Sequence, residues 1–555
     1  MVAGVIVTGM TFVAQSMHEI LFDLPNGERL SAQLGLASPW LAIIPAIGGI
    51  AIGLTALMLR RYRKRIMVDP IEANALHGGK MSVVDSVILA AQTLLSNGFG
   101  ASVGLEAGYT QLSSALASRA GQALALRRND LRILVGCGAA GAVAAAFDAP
   151  LTGAFYAFEL IVGTYTVAAV APVMAAALAA TMTAAWLGAV QFTISVDDTT
   201  RLTALEHVPF LLLGVLGGAV AIFLMRFVAS VEAGYVKAGI RPQFRPFIGG
   251  CVLGCIALVT PQALSSGNGA LHFGLTHDPA LAMIALVFGL KILAAAVSLG
   301  SGFRGGLFFA SLFIGGMLGA LFSALTIAIV PNLATDSVIA SVVGMTSVAV
   351  GVVGGPLTMT FLALEVSGDL ALAGAVLAAA IVSSLLVRET FGYSFSTWRL
   401  HLRGETIRSA HDVGWMRSLT VRSMMRTDVR TIEVETSVDT FRAEFPLGST
   451  QRVVIVDTDG RYEGIVLVSD AHGTELDKAE DPSTGLRNML RSSDAWLLPA
   501  MNAKTAAKVF EETRTEELAV LDGDRKVLGL LTEGHLLRRY ADELERVRRD
   551  LSGER

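Results

Sequence analysis

The residues best suited to chemistry are a glutamate and a set of backbone amides, each at a glycine-rich break in apolar sequence. Glu106 lies between Gly104 and Gly108, where an apolar helix is predicted to begin. The free N–H groups and dipole of a helix N-terminus stabilise an anion, so this position can hold the carboxylate or an external anion that displaces it. A gating role and a purely capping role are both consistent with this pattern.

A second break, from Gly300 to Phe309, offers the same device in later sequence. The consecutive amides of Leu307 and Phe308 could bind an anion without a full positive charge. Arg304 could draw anions toward these amides, or it could snorkel or pair with a carboxylate.

A repeated sequence motif divides the apolar sequence into two related parts. Ala149 to Thr152, followed by Glu159, recurs 206 residues later as Gly355 to Thr358, followed by Glu365. Two homologous membrane halves are the economical interpretation, and internal repeats of this kind usually enclose a substrate site near the bilayer midplane. Transport is therefore the leading function. The equivalent positions of the two glutamates favour a shared packing or capping role.

Composition indicates an integral membrane protein. The chain has 555 residues, of which 53% are hydrophobic and 16% charged, and apolar stretches long enough to cross a bilayer recur to about residue 390. No acidic or basic partner follows from the net charge of -4, and no nucleic-acid partner is expected. Cys137, Cys251 and Cys255 form no disulfide or metal-binding pattern. The sequence shows no arrangement of a nucleophile, a metal site or a phosphate-binding loop that would predict an enzyme.

The first predicted helices set the orientation. Val2 to Leu21 and Trp40 to Leu59 read as spans, and the basic run Arg60 to Arg65 after the second indicates a cytoplasmic loop. With two spans before that loop, the N-terminus is predicted to be cytoplasmic. Met1 to Phe22 lacks signal-peptide features and reads as a mature first span, with the true start either here or further upstream.

The sequence after Thr397 has the composition of a soluble tail. Strand-like segments at 452–456 and 462–468 recur at 518–521 and 527–531, each pair turning on Asp and Gly. The tail is predicted to hold two copies of one small α/β unit and a charged last helix from Glu533. The predicted divisions are a membrane domain (1–400), a linker (401–420), copy 1 (421–475), a connector (476–496), copy 2 (497–545) and a charged tail (546–555).

These motifs together resemble the CLC chloride channel and transporter family, with a pair of CBS domains as the tail. The similar segments are Gly136 to Glu159, Gly104 to Gly108, Gly302 to Ala310 and Gly354 to Glu365. The resemblance implies an all-α polytopic membrane domain of two inverted repeats followed by an α/β cytoplasmic domain. It also implies a homodimer in the lipid bilayer of the cell membrane, with one anion pathway per subunit.

The resemblance also assigns site residues. It implies that Glu106 is the gating glutamate and that the amides of Leu307 and Phe308 line the central anion site. Met67 aligns with the central serine of the family's first filter motif, and Ser396 aligns with its pore tyrosine. Each therefore occupies an anion-binding position with a different side chain.

Leu160 aligns with the inner proton-transfer glutamate of family exchangers, which argues against ordinary proton coupling. This favours passive or weakly coupled permeation, unless Glu159 takes over and forms a proton path with Glu106. Asp69 stands where a small apolar residue is usual. Facing the pore it would repel anions, and a helix-capping role before Pro70 is the preferred interpretation.

The expected substrate is chloride, and fluoride is the nearest alternative, because fluoride-exporting members also carry methionine at the position of Met67. In the tail, Asp470 fits the place where family members hold the ribose of an adenine nucleotide. Leu467 replaces the preceding hydroxyl residue, and His535 replaces the second aspartate. A structural tail without a cofactor is slightly favoured over a degraded nucleotide site. A nucleotide sensor with a poorly conducting membrane part is the third alternative.

Overall fold

The computed structural model describes residues 1–62, 67–189, 207–271, 280–329, 335–402, 419–473 and 486–552. The chain forms two compact units, Met1–Asp412 and Val413–Arg555. Several predicted features lie partly outside the described residues: the basic run at 63–65, the linker at 403–418, the connector at 476–485 and the last residues of the charged tail.

The first unit is built of helices. In chain order they are α1 (Val2–Phe22), α2 (Ile44–Tyr62), α3 (Pro70–Leu76), α4 (Val83–Gly98), α5 (Glu106–Ala123), α6 (Arg128–Phe147), α7 (Pro150–Tyr156), α8 (Val167–Trp186), α9 (His207–Lys237), α10 (Arg245–Val259), α11 (Leu281–Ser301), α12 (Phe308–Ile329), α13 (Ser337–Val353), α14 (Pro356–Ser367), α15 (Leu370–Thr390) and α16 (Phe395–Leu402). Within the described ranges, eight helical segments are long and apolar enough to span a bilayer. The prediction of an all-α polytopic domain is confirmed.

Local sequence explains where several of these helices begin. The Asp69 side chain accepts a hydrogen bond of 2.8 Å from the Glu72 N–H, and Pro70 occupies the first helical position of α3. Asp336 and Asp369 cap α13 and α15 in the same way, each accepting from two backbone N–H groups. The capping role predicted for Asp69 is therefore present in the structure.

Small residues bring the central helices α12 and α13 into backbone contact. A Cβ atom added to Gly315 or Gly319 would overlap backbone atoms of Gly344 or Ala340, and one added to Gly344 would overlap Gly315. In a membrane, where lipid is as apolar as the helices, this close packing supplies much of the attraction between them.

The second unit contains two three-stranded sheets of identical topology. Its elements are α17 (Val421–Met424), β1 (Thr431–Glu433), α18 (Val438–Glu444), β2 (Arg452–Val456), β3 (Tyr462–Leu467), α19 (Val468–Ala471), β4 (Trp496–Leu497), α20 (Ala503–Thr513), β5 (Glu517–Leu521), β6 (Val527–Thr532) and α21 (Glu533–Ser552). In each sheet the middle strand pairs parallel with the first strand and antiparallel with the third. The predicted repeat of one α/β unit is confirmed.

The two copies in this unit exchange their leading segments. Val421 and Met424 pack into the core of the second copy, beside Phe510. Leu486, which precedes the second copy in the chain, packs into the core of the first beside Phe441. The boundaries drawn along the sequence, copy 1 at 421–475 and a connector at 476–496, therefore differ from the packing, because neither core closes without a segment from the other end.

Candidate functional site

Two glycine-rich breaks from different halves of the first unit meet at one point. The Gly104 N–H donates to the Gly306 carbonyl at 2.9 Å, and the Gly306 N–H donates back to the Gly104 carbonyl at 3.2 Å. Helix α5 begins two residues after Gly104, and α12 begins two residues after Gly306. The pairing brings together two helix N-termini, whose unpaired N–H groups favour negative charge.

The Glu106 side chain lies at this junction and is 7% exposed. Its carboxylate accepts hydrogen bonds from its own N–H and from the N–H of Phe309 in the first turn of α12. Its Oε2 atom has no hydrogen-bond partner among the described residues. A Cβ atom at Gly104 would overlap this oxygen, so the absence of a side chain there is what gives the carboxylate room.

A cavity of about 600 Å³ joins Glu106 to the other predicted site residues. Met67, Leu307, Phe308 and Ser396 all line it, although they come from three distant parts of the chain. Its volume is within the range of small-ligand sites. The sequence-based set of anion-binding residues is therefore brought together around one space.

Glu159 lies elsewhere, and its carboxylate is fully engaged. It accepts hydrogen bonds from the N–H groups of Leu357 and Thr358, at 3.0 and 2.8 Å, and from the Thr358 hydroxyl, at 2.5 Å. Glu365 makes the equivalent three bonds to residues 151 and 152. Each glutamate thus caps the short helix of the other half. Leu160, not Glu159, is among the residues that line the cavity.

Sequence reasoning missed Lys291, a fully buried lysine in α11. Its ammonium donates to the carbonyls of Ala263 and Ser265, at 3.2 and 2.8 Å, and lies 5.5 Å from the centre of the Phe313 ring. It is close enough to Glu106 to attract that carboxylate electrostatically. The available signal was a lone charge in an otherwise apolar helix of 21 residues.

Three further charged residues of the sequence analysis have defined places. Asp69 lines the cavity while it caps α3. Arg304 also lines the cavity, and its backbone N–H donates to the Ser96 hydroxyl at 2.9 Å. In the tail, Asp470 pairs with Arg491 at 2.7 Å. Among the described residues, no group of three or more His, Cys, Asp or Glu side chains could hold a metal ion.

Family models match both parts of the chain. The model described as voltage gated chloride channel matches residues 47–388, more than half of the chain, and the CBS domain model matches residues 489–542. The ClC-type chloride channel ClcB of Citrobacter koseri is 27% identical over 393 residues, which is 70% of this chain and 93% of that protein. ClcB of Salmonella typhimurium is 28% identical over 391 residues, with the same shares covered.

Solved structures show the same fold at lower identity. A slow cyanobacterial Cl⁻/H⁺ antiporter superposes with a TM-score of 0.64 and 20% identity, over 72% of this chain and 95% of that chain. A CLC-type fluoride/proton antiporter gives 0.57 and 22%, over 70% and 94%. A eukaryotic CLC transporter gives 0.60 and 16%, over 96% of both chains. The chain is therefore a multi-pass membrane protein of the voltage gated chloride channel (CLC) family, with a C-terminal pair of CBS domains.

Proposed function

We propose that this protein moves small anions, chloride first, across the cell membrane along the cavity between α5 and α12, with Glu106 as the gate. The observation that carries the proposal is the position of the Glu106 carboxylate, which accepts a hydrogen bond from Phe309 at the N-terminus of α12. A carboxylate held by helix amides occupies a place where a mobile anion would be stabilised by the same groups. Anion and carboxylate then compete for one site.

The surroundings of the gate suit this competition. The buried ammonium of Lys291 lowers the electrostatic cost of one negative charge at the junction, whichever group carries it. The amides of Leu307 and Phe308, with the side chains of Met67 and Ser396, form the wall that a passing anion would contact. We place the protein in a homodimer with one pathway per subunit, and its N-terminus and CBS tail in the cytoplasm.

Fluoride is the second candidate substrate, and the position of Met67 favours it. Met67 lines the cavity where the family commonly presents a serine hydroxyl, so the wall offers a thioether instead of a donor at that point. The two candidate substrates can be distinguished by measuring the transport of both anions by the same protein.

The test is anion efflux from liposomes that contain the purified full-length protein, with chloride and fluoride compared and external pH recorded. Wild-type protein should release chloride, and Glu106→Gln should release it at a rate that no longer depends on pH, because a neutral amide cannot titrate. Glu389→Gln is the matched control, since Glu389 is exposed on α15. No efflux of either anion from folded wild-type protein would overturn the proposal. Fluoride efflux without chloride efflux would replace the substrate.

A further inference from the structure

The cavity wall contains a titratable phenol that the proposed function does not use. Tyr156, the last residue of α7, lines the cavity together with Asp69 and Glu106. Its ring packs at 6.1 Å from the ring of Phe308, so it lies beside the anion pathway. Both carboxylates are close enough to act electrostatically on its hydroxyl, which accepts or donates no hydrogen bond within the described residues.

The charges around this hydroxyl favour a proton over an anion. Among the described residues, the charged groups that act on Tyr156 are Asp69 and Glu106, and both are acidic. An anion beside two carboxylates would be repelled, whereas a proton shared among them would be stabilised. A phenol can also donate and accept at the same atom, which is what a relay needs. The remaining charged residues that line the cavity are Glu232, Arg245, Arg304 and Arg399.

The wall near the gate is also built to hold water. Four buried polar atoms that lack hydrogen-bond partners among the described residues belong to residues that line the cavity: Glu106 Oε2, Gln92 Oε1, Thr93 Oγ1 and Trp398 Nε1. A buried polar atom without a partner is energetically costly, so each of these atoms favours an ordered water beside it. A volume of about 600 Å³ leaves room for several such waters.

We propose that Asp69 and Tyr156 form a proton route to Glu106, and that weak proton coupling of anion movement runs through it. A proton on the Asp69 carboxyl passes to the Tyr156 oxygen, directly or through cavity water, while the Tyr156 hydroxyl gives its own proton to the Glu106 carboxylate. The phenol is regenerated and one proton has moved. The protonated Glu106 loses its negative charge and releases its place at the α12 amides to an anion. This inference rests on the proposed function.

Glu159 is left out of this route because of its geometry. Its carboxylate already accepts three hydrogen bonds from Leu357 and Thr358, and it does not line the cavity. Leu160, which does line it, has no group that can carry a proton. Of Asp69, Glu159 and Leu160, only Asp69 places a titratable carboxylate on the cavity wall.

The experiment measures protons and anions moved by full-length protein in liposomes, for Tyr156→Phe and Asp69→Asn. Phenylalanine keeps the ring packed against Phe308, and asparagine caps a helix as well as aspartate does, so both changes remove titration and spare the fold. The proton-to-anion ratio should fall by about 100-fold or more in each, as expected when a proton-transfer group is lost. Anion efflux should persist.

Two control variants match these changes outside the cavity. Tyr165→Phe alters a partly exposed tyrosine that packs on Phe155 and Phe158, and Asp336→Asn alters the cap of α13. Both should keep the wild-type ratio. Unchanged ratios in Tyr156→Phe and Asp69→Asn would overturn the relay, as would wild-type anion efflux without proton movement, while the anion pathway itself would stand. Wild-type protein that moves no anion would defeat the proposed function instead.

Discussion

Gly104 and Glu106 form a contact in which the smallest residue makes space for a buried carboxylate. The bridge from Gly104 to Gly306 holds both backbones in place, so the carboxylate cannot move aside without leaving the N-terminus of α12. The hydrogen bond from Phe309 is charge-assisted, and such bonds contribute about 1.5–3 kcal/mol. A single methyl group added at Gly104 should therefore be enough to displace the Glu106 carboxylate.

Gly104→Ala tests this contact directly. A Cβ atom there would overlap Glu106 Oε2, so the carboxylate should be displaced and the anion site left open. We expect chloride efflux at least as fast as that of Glu106→Gln, measured in the same liposome assay. Gly289→Ala is the control, because a Cβ atom at Gly289 would meet nothing within 4 Å. Slower efflux from Gly104→Ala, with Gly289→Ala unchanged, would contradict a gate that closes by occupying this site.

Local sequence was enough to predict where the two helices of the candidate site begin. Glu106, Leu307 and Phe308 stand at glycine-rich breaks, and the structure begins α5 and α12 there. Lys291 had one local signal, a lone charge in an apolar helix, but that signal names no partner, and nothing local distinguishes Tyr156. Their positions beside Glu106 follow from how distant helices fold around the junction, and a single sequence contains no signal for that distance.

The short helices α7 and α14 are joined by a reciprocal exchange. Glu159 caps α14 and Glu365 caps α7, each with three hydrogen bonds, and the rings of Phe155 and Phe361 stack at 4.2 Å between them. The repeated sequence motif predicted equivalent roles for the two glutamates. It could not show that each acts on the opposite half, because a repeat establishes equivalence and not partnership. The exchanged segments of the CBS copies escaped prediction for the same reason.

Glu159→Gln and Glu365→Gln should therefore behave alike. Each substitution keeps the size of the side chain but places an amide NH₂ where an N–H donor needs an acceptor. We expect each to lower the free energy of unfolding by about 1.5–3 kcal/mol, with values that agree between the two. Thermal unfolding in detergent gives this comparison, with exposed Glu389→Gln as the reference. In liposomes both should keep the wild-type proton-to-anion ratio, and loss of proton movement in Glu159→Gln alone would show that Glu159 carries protons.

The largest question for the whole molecule is whether the CBS unit reports nucleotide levels to the membrane unit. The Asp470 carboxylate pairs with Arg491, but this pair is partly exposed and would resist a competing ribose by only about 1 kcal/mol. The two polar groups that the nucleotide site lacks matter more for binding than this ion pair. Leu467 offers no hydroxyl, and in the second copy the Thr532 hydroxyl accepts from the backbone N–H of His535 at 3.3 Å. We propose that the unit is structural.

The corresponding prediction concerns adenine nucleotides and the full-length protein. ATP, ADP and AMP at up to about 1 mM, the range of an interaction worth only about 4 kcal/mol, should produce no binding heat and no change in chloride efflux. The double variant Leu467→Thr with His535→Asp restores the hydroxyl and the second carboxylate, and a gain of binding in it would show that these two positions abolished the site. Binding by the wild-type protein accompanied by a change in efflux would instead make the tail a sensor, because nucleotide binding to one unit would then change the activity of the other.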